Sequence, residues 1–365
     1  METLAANLYA HESYSVDQGA HLIFELTNHS KKPVHILKWN TPLEGLKSDC
    51  LNVTKNGRAV EYDGRMVKRG NPQPDDFETI QPGKSVTAKV DISTAYNVSH
   101  AAKIKVNYKP EKLTYFTEEP TTDFLMAAIA KMPKQKKIQI ISRPASFSMK
   151  SAGAKKITEG EQARKTHGIL NTATSKKKAA GVKSSKNNTG FAEGEMSMSP
   201  RLAKACRIKG GTAAQIAIVK TAHQHGYELA KAAFTAMEKK NAAFNSWFGK
   251  YSSVHFARVK LDFRKIRDDF QNKRFTYDLS GYKCARGDYA YTYKRTATIW
   301  LCSSFWSAPP TGADSQAGTL IHEHSHASAS TDDNAYGEIL CKKLALDNSA
   351  KAVKNADSHE FFAKG

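Results

Sequence analysis

Apolar and polar positions alternate with a period of two from Leu22 to about Ile141, and shift to a helical rhythm beyond Ala213, so the chain predicts two unlike halves. Leu22, Phe24 and Leu26 alternate with Ile23, Glu25 and Thr27, and Ser85 to Ile92 and Lys103 to Tyr108 repeat the alternation. Lys55-Asn56-Gly57-Arg58 and Gln81-Pro82-Gly83-Lys84 are turn signals between such runs. This spacing predicts an all-β immunoglobulin-like sandwich over 1–148, with one short helix near Asp123 to Lys131. In the second half, Ile216, Val219, Ala222, Leu229, Ala230 and Ala233 keep a helical period, and Asn241 to Ile266 continues it with a break at Gly249. Tyr289 to Tyr293 and Thr296 to Leu301 alternate again and predict a hairpin, followed by helices near Ser315 to Ala327 and Tyr336 to Asp347. Residues 205–365 are therefore expected to form a second, α+β and mostly helical domain.

Charge divides the two halves. The chain has 365 residues and a formal net charge of +20, which invites a reading as a basic protein that binds nucleic acid or an anionic surface. Twelve Lys or Arg but only four Glu fall between Lys150 and Lys204, amid Ala, Gly, Ser, Thr and Asn. Such a stretch buries too little apolar surface to offset its ordering entropy, so 149–204 is expected to be a flexible linker. No run of about 18 apolar residues is present, so no membrane-spanning helix is expected. The start, Met1-Glu2-Thr3-Leu4, shows no secretory signal, which leaves the chain leaderless or trimmed. The first half carries no catalytic constellation, and its histidines are scattered.

The sharpest chemical signal is Gly318-Thr319-Leu320-Ile321-His322-Glu323-His324-Ser325-His326. Residues four apart share a helix face, so His322 and His326 can offer two imidazoles to one zinc ion. Glu323 follows the first ligand and can take a proton from metal-bound water without binding the metal itself. Asp314-Ser315 is a plausible cap, and Leu320 and Ile321 supply apolar surface. A catalytic zinc normally keeps three protein ligands. Spacing alone leaves the third open, because Asp332 lies six residues past His326 and Glu338 twelve, and each fits a known arrangement imperfectly.

Ser330-Thr331-Asp332-Asp333-Asn334-Ala335-Tyr336-Gly337, taken with the His-Glu-x-x-His stretch, resembles the Gly-Thr-x-Asp-x-x-Tyr-Gly signature of the aspzincins, the deuterolysin-like zinc endopeptidases. Asn245-Ser246-Trp247-Phe248-Gly249, Tyr289-Ala290-Tyr291, Leu301-Cys302, Phe305-Trp306 and Thr311 to Thr319 extend the resemblance over about 206–365, towards the peptidyl-Lys branch. The resemblance implies one Zn2+ held by His322, His326 and Asp333, with Glu323 and Tyr336 catalytic and Asp332 as the rival ligand. Ser330 departs from the Gly of the signature.

In the same family, Asn355-Ala356-Asp357-Ser358-His359-Glu360 matches a stretch that recognises lysine after the scissile bond, which implies Asp357 in substrate binding. Cys284 and Cys302 match a family disulfide, whereas Cys206 matches a family cysteine whose partner position, near Tyr282, is not Cys. The first half and linker resemble the propeptide of secreted bacterial members, among them a toxin. The resemblance therefore implies a secreted zymogen with protein and peptide substrates, its own N-terminal domain as intramolecular inhibitor, and no membrane or nucleic-acid partner. A protease that cuts before lysine carries its own sites in a Lys-rich tether, so self-cleavage is expected between about Lys176 and Lys204. A zinc peptidase of broad specificity is the alternative within enzymes. Tyr289, Tyr291 and Tyr293 share a strand face that could align a peptide, although packing explains them equally well.

Overall fold

The computed structural model describes residues 3–131, 139–151, 153–154, 156–170, 198–237, 242–273 and 275–364. The first half contains β1 (Thr3–Tyr9), β2 (Ser13–Ser15), β3 (His21–Asn28), β4 (Val34–Leu37), β5 (Leu51–Lys55), β6 (Arg58–Val60), β7 (Met66–Arg69), β8 (Phe77–Ile80), β9 (Ser85–Asp91), β10 (Ala102–Tyr108) and β11 (Tyr115–Phe116). Helix α1 (Thr122–Lys131) and strands β12 (Gln139–Arg143) and β13 (Ala145–Lys150) complete it. Sheets of order β12-β1-β3-β9 and β2-β13-β10-β5-β6 enclose a core that includes Leu22, Phe24, Leu26, Val53, Tyr96, Ile104 and Val106. The expected sandwich is present, with its alternating residues facing inward.

The second half follows helix α2 (Glu159–His167). It comprises α3 (Pro200–Ala205), β14 (Cys206–Lys209), α4 (Ala213–Ala236), α5 (Ala242–Phe248), α6 (Ser253–Asn272), β15 (Phe275–Asp278), β16 (Asp288–Thr292) and β17 (Thr298–Leu301). Then come α7 (Ser303–Ser307), α8 (Gln316–His324), a π-helical turn over Ser325–Ala329, α9 (Glu338–Asp347), α10 (Ser349–Ala352) and α11 (Ala356–Ala363). Val219, Ala222, Val259, Phe263, Ile266 and Phe270 pack α4 and α6 against Leu320 and Ile321 of α8, which fixes the site helix in the core.

Two features depart from the sequence reading. Strand β7 leaves the sandwich and becomes the edge of the sheet of the second half, whose order is β14-β15-β17-β16-β7. Part of 149–204, expected to be a tether throughout, is ordered: Thr158 caps α2, and Arg164 makes a bidentate pair with Asp63, with Nη1–Oδ1 and Nη2–Oδ2 both 2.7 Å. Gly160 allows this approach, since a Cβ there would lie 2.4 Å from Asp63 Oδ1. Arg164 also donates to Lys294 O at 3.1 Å, and Leu170 N to Arg295 O at 2.8 Å, so 158–170 forms a strap joining the halves. Counting charge missed it because the partners lie about a hundred residues or more away. The expected cleavage region falls mostly outside the described residues.

Candidate active site

Helix α8 begins where Ser315 accepts from Gly318 N at 2.9 Å, as a capping serine should. Gly318 is required for packing: a Cβ would lie 2.6 Å from Glu360 Oε1, so glycine lets α11 close on α8. The helix widens into the π turn at Ser325, and Ser330 then adopts a left-handed conformation at φ 55 and ψ 44. The turn that glycine favours is thus formed with serine, and its hydroxyl-bearing neighbour Thr331 buttresses the site. Ser325 Oγ lies 2.6 Å from Thr331 Oγ1, and His326 Nδ1 donates to Thr331 O at 3.0 Å.

His322, His326 and Asp333 are brought together and are buried. The two Nε2 atoms lie 3.0 Å apart, and Asp333 Oδ1 is 3.2 Å from one and 3.1 Å from the other. Ligands of a tetrahedral zinc at about 2.1 Å lie roughly 3.4 Å apart, so this triangle is slightly tight but nearly the right size. Each ring also has its other nitrogen engaged, His322 Nδ1 with Asp357 Oδ1 at 2.6 Å and His326 Nδ1 with Thr331 O. This leaves two imidazole lone pairs and a carboxylate oxygen converging on one point, a donor set that a divalent cation satisfies. The field agrees: burial alone would lower His322, yet Asp333 and Asp357 raise its pKa to about 10. The cluster therefore favours positive charge at that nitrogen.

The remaining predicted residues surround this point. Glu323 is buried, burial pushes its carboxyl well above the usual range, and its Oε2 has no hydrogen-bond partner among the described residues. The Tyr336 hydroxyl is likewise unpartnered and, through burial, stays protonated. Asp332, the rival ligand, turns away to pair with Lys294 Nζ at 2.5 Å. Cys284 and Cys302 are joined by a disulfide, while Cys50, Cys206 and Cys341 are free thiols.

Strand β7 lies across the cleft, antiparallel to β16, with Val67 opposite Tyr291 and Lys68 opposite Ala290. Val67 N donates to Asp333 Oδ2 at 3.0 Å and Lys68 N to Glu323 Oε1 at 3.1 Å. The Lys68 side chain is fully buried, and its Nζ lies 2.7 Å from Asp314 Oδ1, 3.0 Å from Asp357 Oδ1 and 2.9 Å from Glu360 Oε2. Burial alone would lower the lysine pKa, yet Asp357, Glu360 and Asp314 hold it well above its ordinary value. Burial also raises Asp357, but Lys68 and His322 outweigh it and keep that carboxyl low, whereas burial pushes Glu360 up to about 7. Glu360 and Asp314 were missed by sequence reasoning. The spacing of Asp357 and Glu360, three apart on one helix, was the available signal for the first; Asp314 was read as part of a cap.

A buried His-Glu-x-x-His helix with a carboxylate seven residues past its second histidine, under the edge strand of a small mixed sheet, defines a metallopeptidase. The family profile described as lysine-specific metallo-endopeptidase, the aspzincins, matches residues 233–364, and an immunoglobulin-like domain profile matches 10–118. The chain is 28% identical to an extracellular protease of Aeromonas hydrophila over 93% of this chain and 86% of that protein. It is 38% identical to a peptidyl-Lys metalloendopeptidase of Pleurotus ostreatus over 33% of this chain and 72% of that one. A solved zinc peptidase from Grifola frondosa shares 33% identity over 42% of this chain and 96% of its own, at a TM-score of 0.40. The chain belongs to the aspzincin family and is a zinc metalloendopeptidase. Among the described residues no helix is long and apolar enough to cross a membrane.

Proposed function

We propose that the chain is the secreted zymogen of an endopeptidase that cuts on the amino side of lysine, with its N-terminal domain as intramolecular inhibitor. His322, His326 and Asp333 hold one zinc ion. When bound, such an ion would supply a Lewis acid that polarises the scissile carbonyl and acidifies a water. Glu323 takes the proton of the attacking water and returns it to the leaving nitrogen. The 3.1 Å contact of Lys68 N with Glu323 Oε1 supports that role. Tyr336 keeps its proton and donates a hydrogen bond from its hydroxyl to the developing oxyanion. Asp357, Glu360 and Asp314 receive the ammonium of the lysine that follows the scissile bond.

The observation that carries this reading is the buried Lys68, delivered by an extended strand into a pocket of three carboxylates beside the metal ligands. Strand addition is how many proteins take an extended peptide, and β7 occupies the position a substrate needs. Self-cleavage of the linker then separates inhibitor from enzyme. The secreted location is supported by the Cys284–Cys302 bridge, which suits an oxidising compartment. Digestion of a peptide library by the zinc-loaded chain tests the specificity, with cuts expected before lysine and abolished by a chelator. Cuts spread without regard to the following residue would sink the lysine assignment.

A further inference from the structure

The alternation of a β-strand sends Lys68 into the acidic pocket and its neighbour Val67 to the opposite face, where it is fully buried. There it faces Tyr291, its antiparallel partner, and residues so paired share one side of a sheet. Tyr291 is stacked on Trp300 at 5.0 Å and an interplanar angle of 3°, and Tyr293 stands edge-on to both rings. Cys302, held by its disulfide to Cys284, belongs to the same cluster. Apart from Val67 itself, the one buried member of this cluster from outside the catalytic half, among the described residues, is Ala163 of the strap. The aromatic floor therefore remains when the N-terminal domain leaves. Beside it lies a cavity of about 720 Å³ whose lining includes Ala163, Tyr291, Tyr293, Trp300, Thr158 and Asp278.

We infer that Tyr291, backed by Trp300 and flanked by Tyr293, is the shelf that receives the side chain of the residue preceding the scissile bond, and that it selects an aliphatic residue there. This deepens the proposed function and rests on its reading of β7 as substrate-like. A flat aromatic surface gains from each methylene it covers, and its electron-rich face, which carries the Arg65 guanidinium 5.3 Å from the Tyr291 centroid, disfavours an acidic side chain. Two determinants thus act on opposite faces of the bound strand, the carboxylates on the lysine and the aromatic shelf on the residue before it.

The test uses the full chain, zinc-loaded and incubated until peptidase activity is steady, with peptides identical except for Val, Ala, Gly or Asp before a fixed lysine. The expected order of kcat/KM is Val over Ala over Gly over Asp, with Val exceeding Gly by about 10-fold or more. Tyr291→Ala should drive the Val-to-Gly ratio towards one; if that variant does not fold, the wild-type series still decides. Cleavage before lysine at rates within about twofold across the series overturns the shelf and leaves the lysine specificity standing. No cleavage before lysine in any peptide overturns the proposed function and the shelf with it.

The chain carries an internal control. Of Lys176, Lys177, Lys178, Lys183, Lys186 and Lys204, only Lys183 follows a β-branched aliphatic residue, Val182. Self-processing should yield a fragment ending at Val182, read by intact mass, and Val182→Asp should move the first cut to another lysine. An undiminished cut before Lys183 in that variant counts against the shelf.

Discussion

The floor of the cleft and the strand above it solve opposite electrostatic problems. The floor, from Asp314 through Glu360, gathers Asp314, Glu323, Asp333, Asp357 and Glu360 around two histidines, all but Asp314 buried, and has too few cations of its own. Strand β7 brings Lys68, a fully buried cation whose partners all lie in the floor. Neither region is electrostatically complete without the other, because unpaired buried charge is strongly unfavourable. The difference teaches that the floor is built to be completed by two cations, an ion at the imidazoles and a lysine beside it, and that the N-terminal domain supplies the second.

That contrast can be broken at graded cost. Glu323→Ala removes the floor's proton carrier and should lower peptidase activity by about 1,000-fold or more, leaving the chain at full length in a mass spectrum after zinc loading. Lys68→Ala removes the strand's cation and should weaken the inhibited state by about 3–5 kcal/mol, read as roughly 100-fold or more activity on a short peptide immediately after zinc addition. If activity matches the wild type, β7 is a passenger and the contrast is wrong. Replacing Cys284 and Cys302 by serine opens a crosslink spanning 18 positions and should cost the catalytic half about 3 kcal/mol in urea unfolding. The sandwich transition should stay put. Arg164→Ala cuts the strap's pair with the partly exposed Asp63 and should cost about 1 kcal/mol, seen as faster amide exchange over 158–168.

The regular elements were readable because their determinants are local. The sandwich strands announce themselves by period, α8 by its serine cap and apolar face, and His322 and His326 by their spacing. Asp333 and Tyr336 needed the family signature, since nothing local distinguishes Asp333 from Asp332 until Lys294 takes one of them. Strand β7 and the strap were hidden for a different reason. Met66-Val67-Lys68-Arg69 is too short and too charged to read as a buried strand, and becomes one only against Asp314, Asp357 and Glu360, some 250 to 290 residues away. Glu159 and Arg164 count only towards the charge balance of 150–204, and Asp63 carries no signal at all, because their pairings are long-range and sequence spacing holds no trace of them.

Asp357 joins three elements through one carboxylate. Its Oδ1 meets both His322 Nδ1 and Lys68 Nζ, and its Oδ2 accepts from Gly337 N at 2.7 Å, next to Tyr336. An exchange at this position would therefore disturb the His322 ring, the Lys68 ammonium and the turn beside Tyr336 together. Asp314, nearer the rim and 21% exposed, meets the same ammonium without touching either histidine ring, so its exchange leaves those rings anchored.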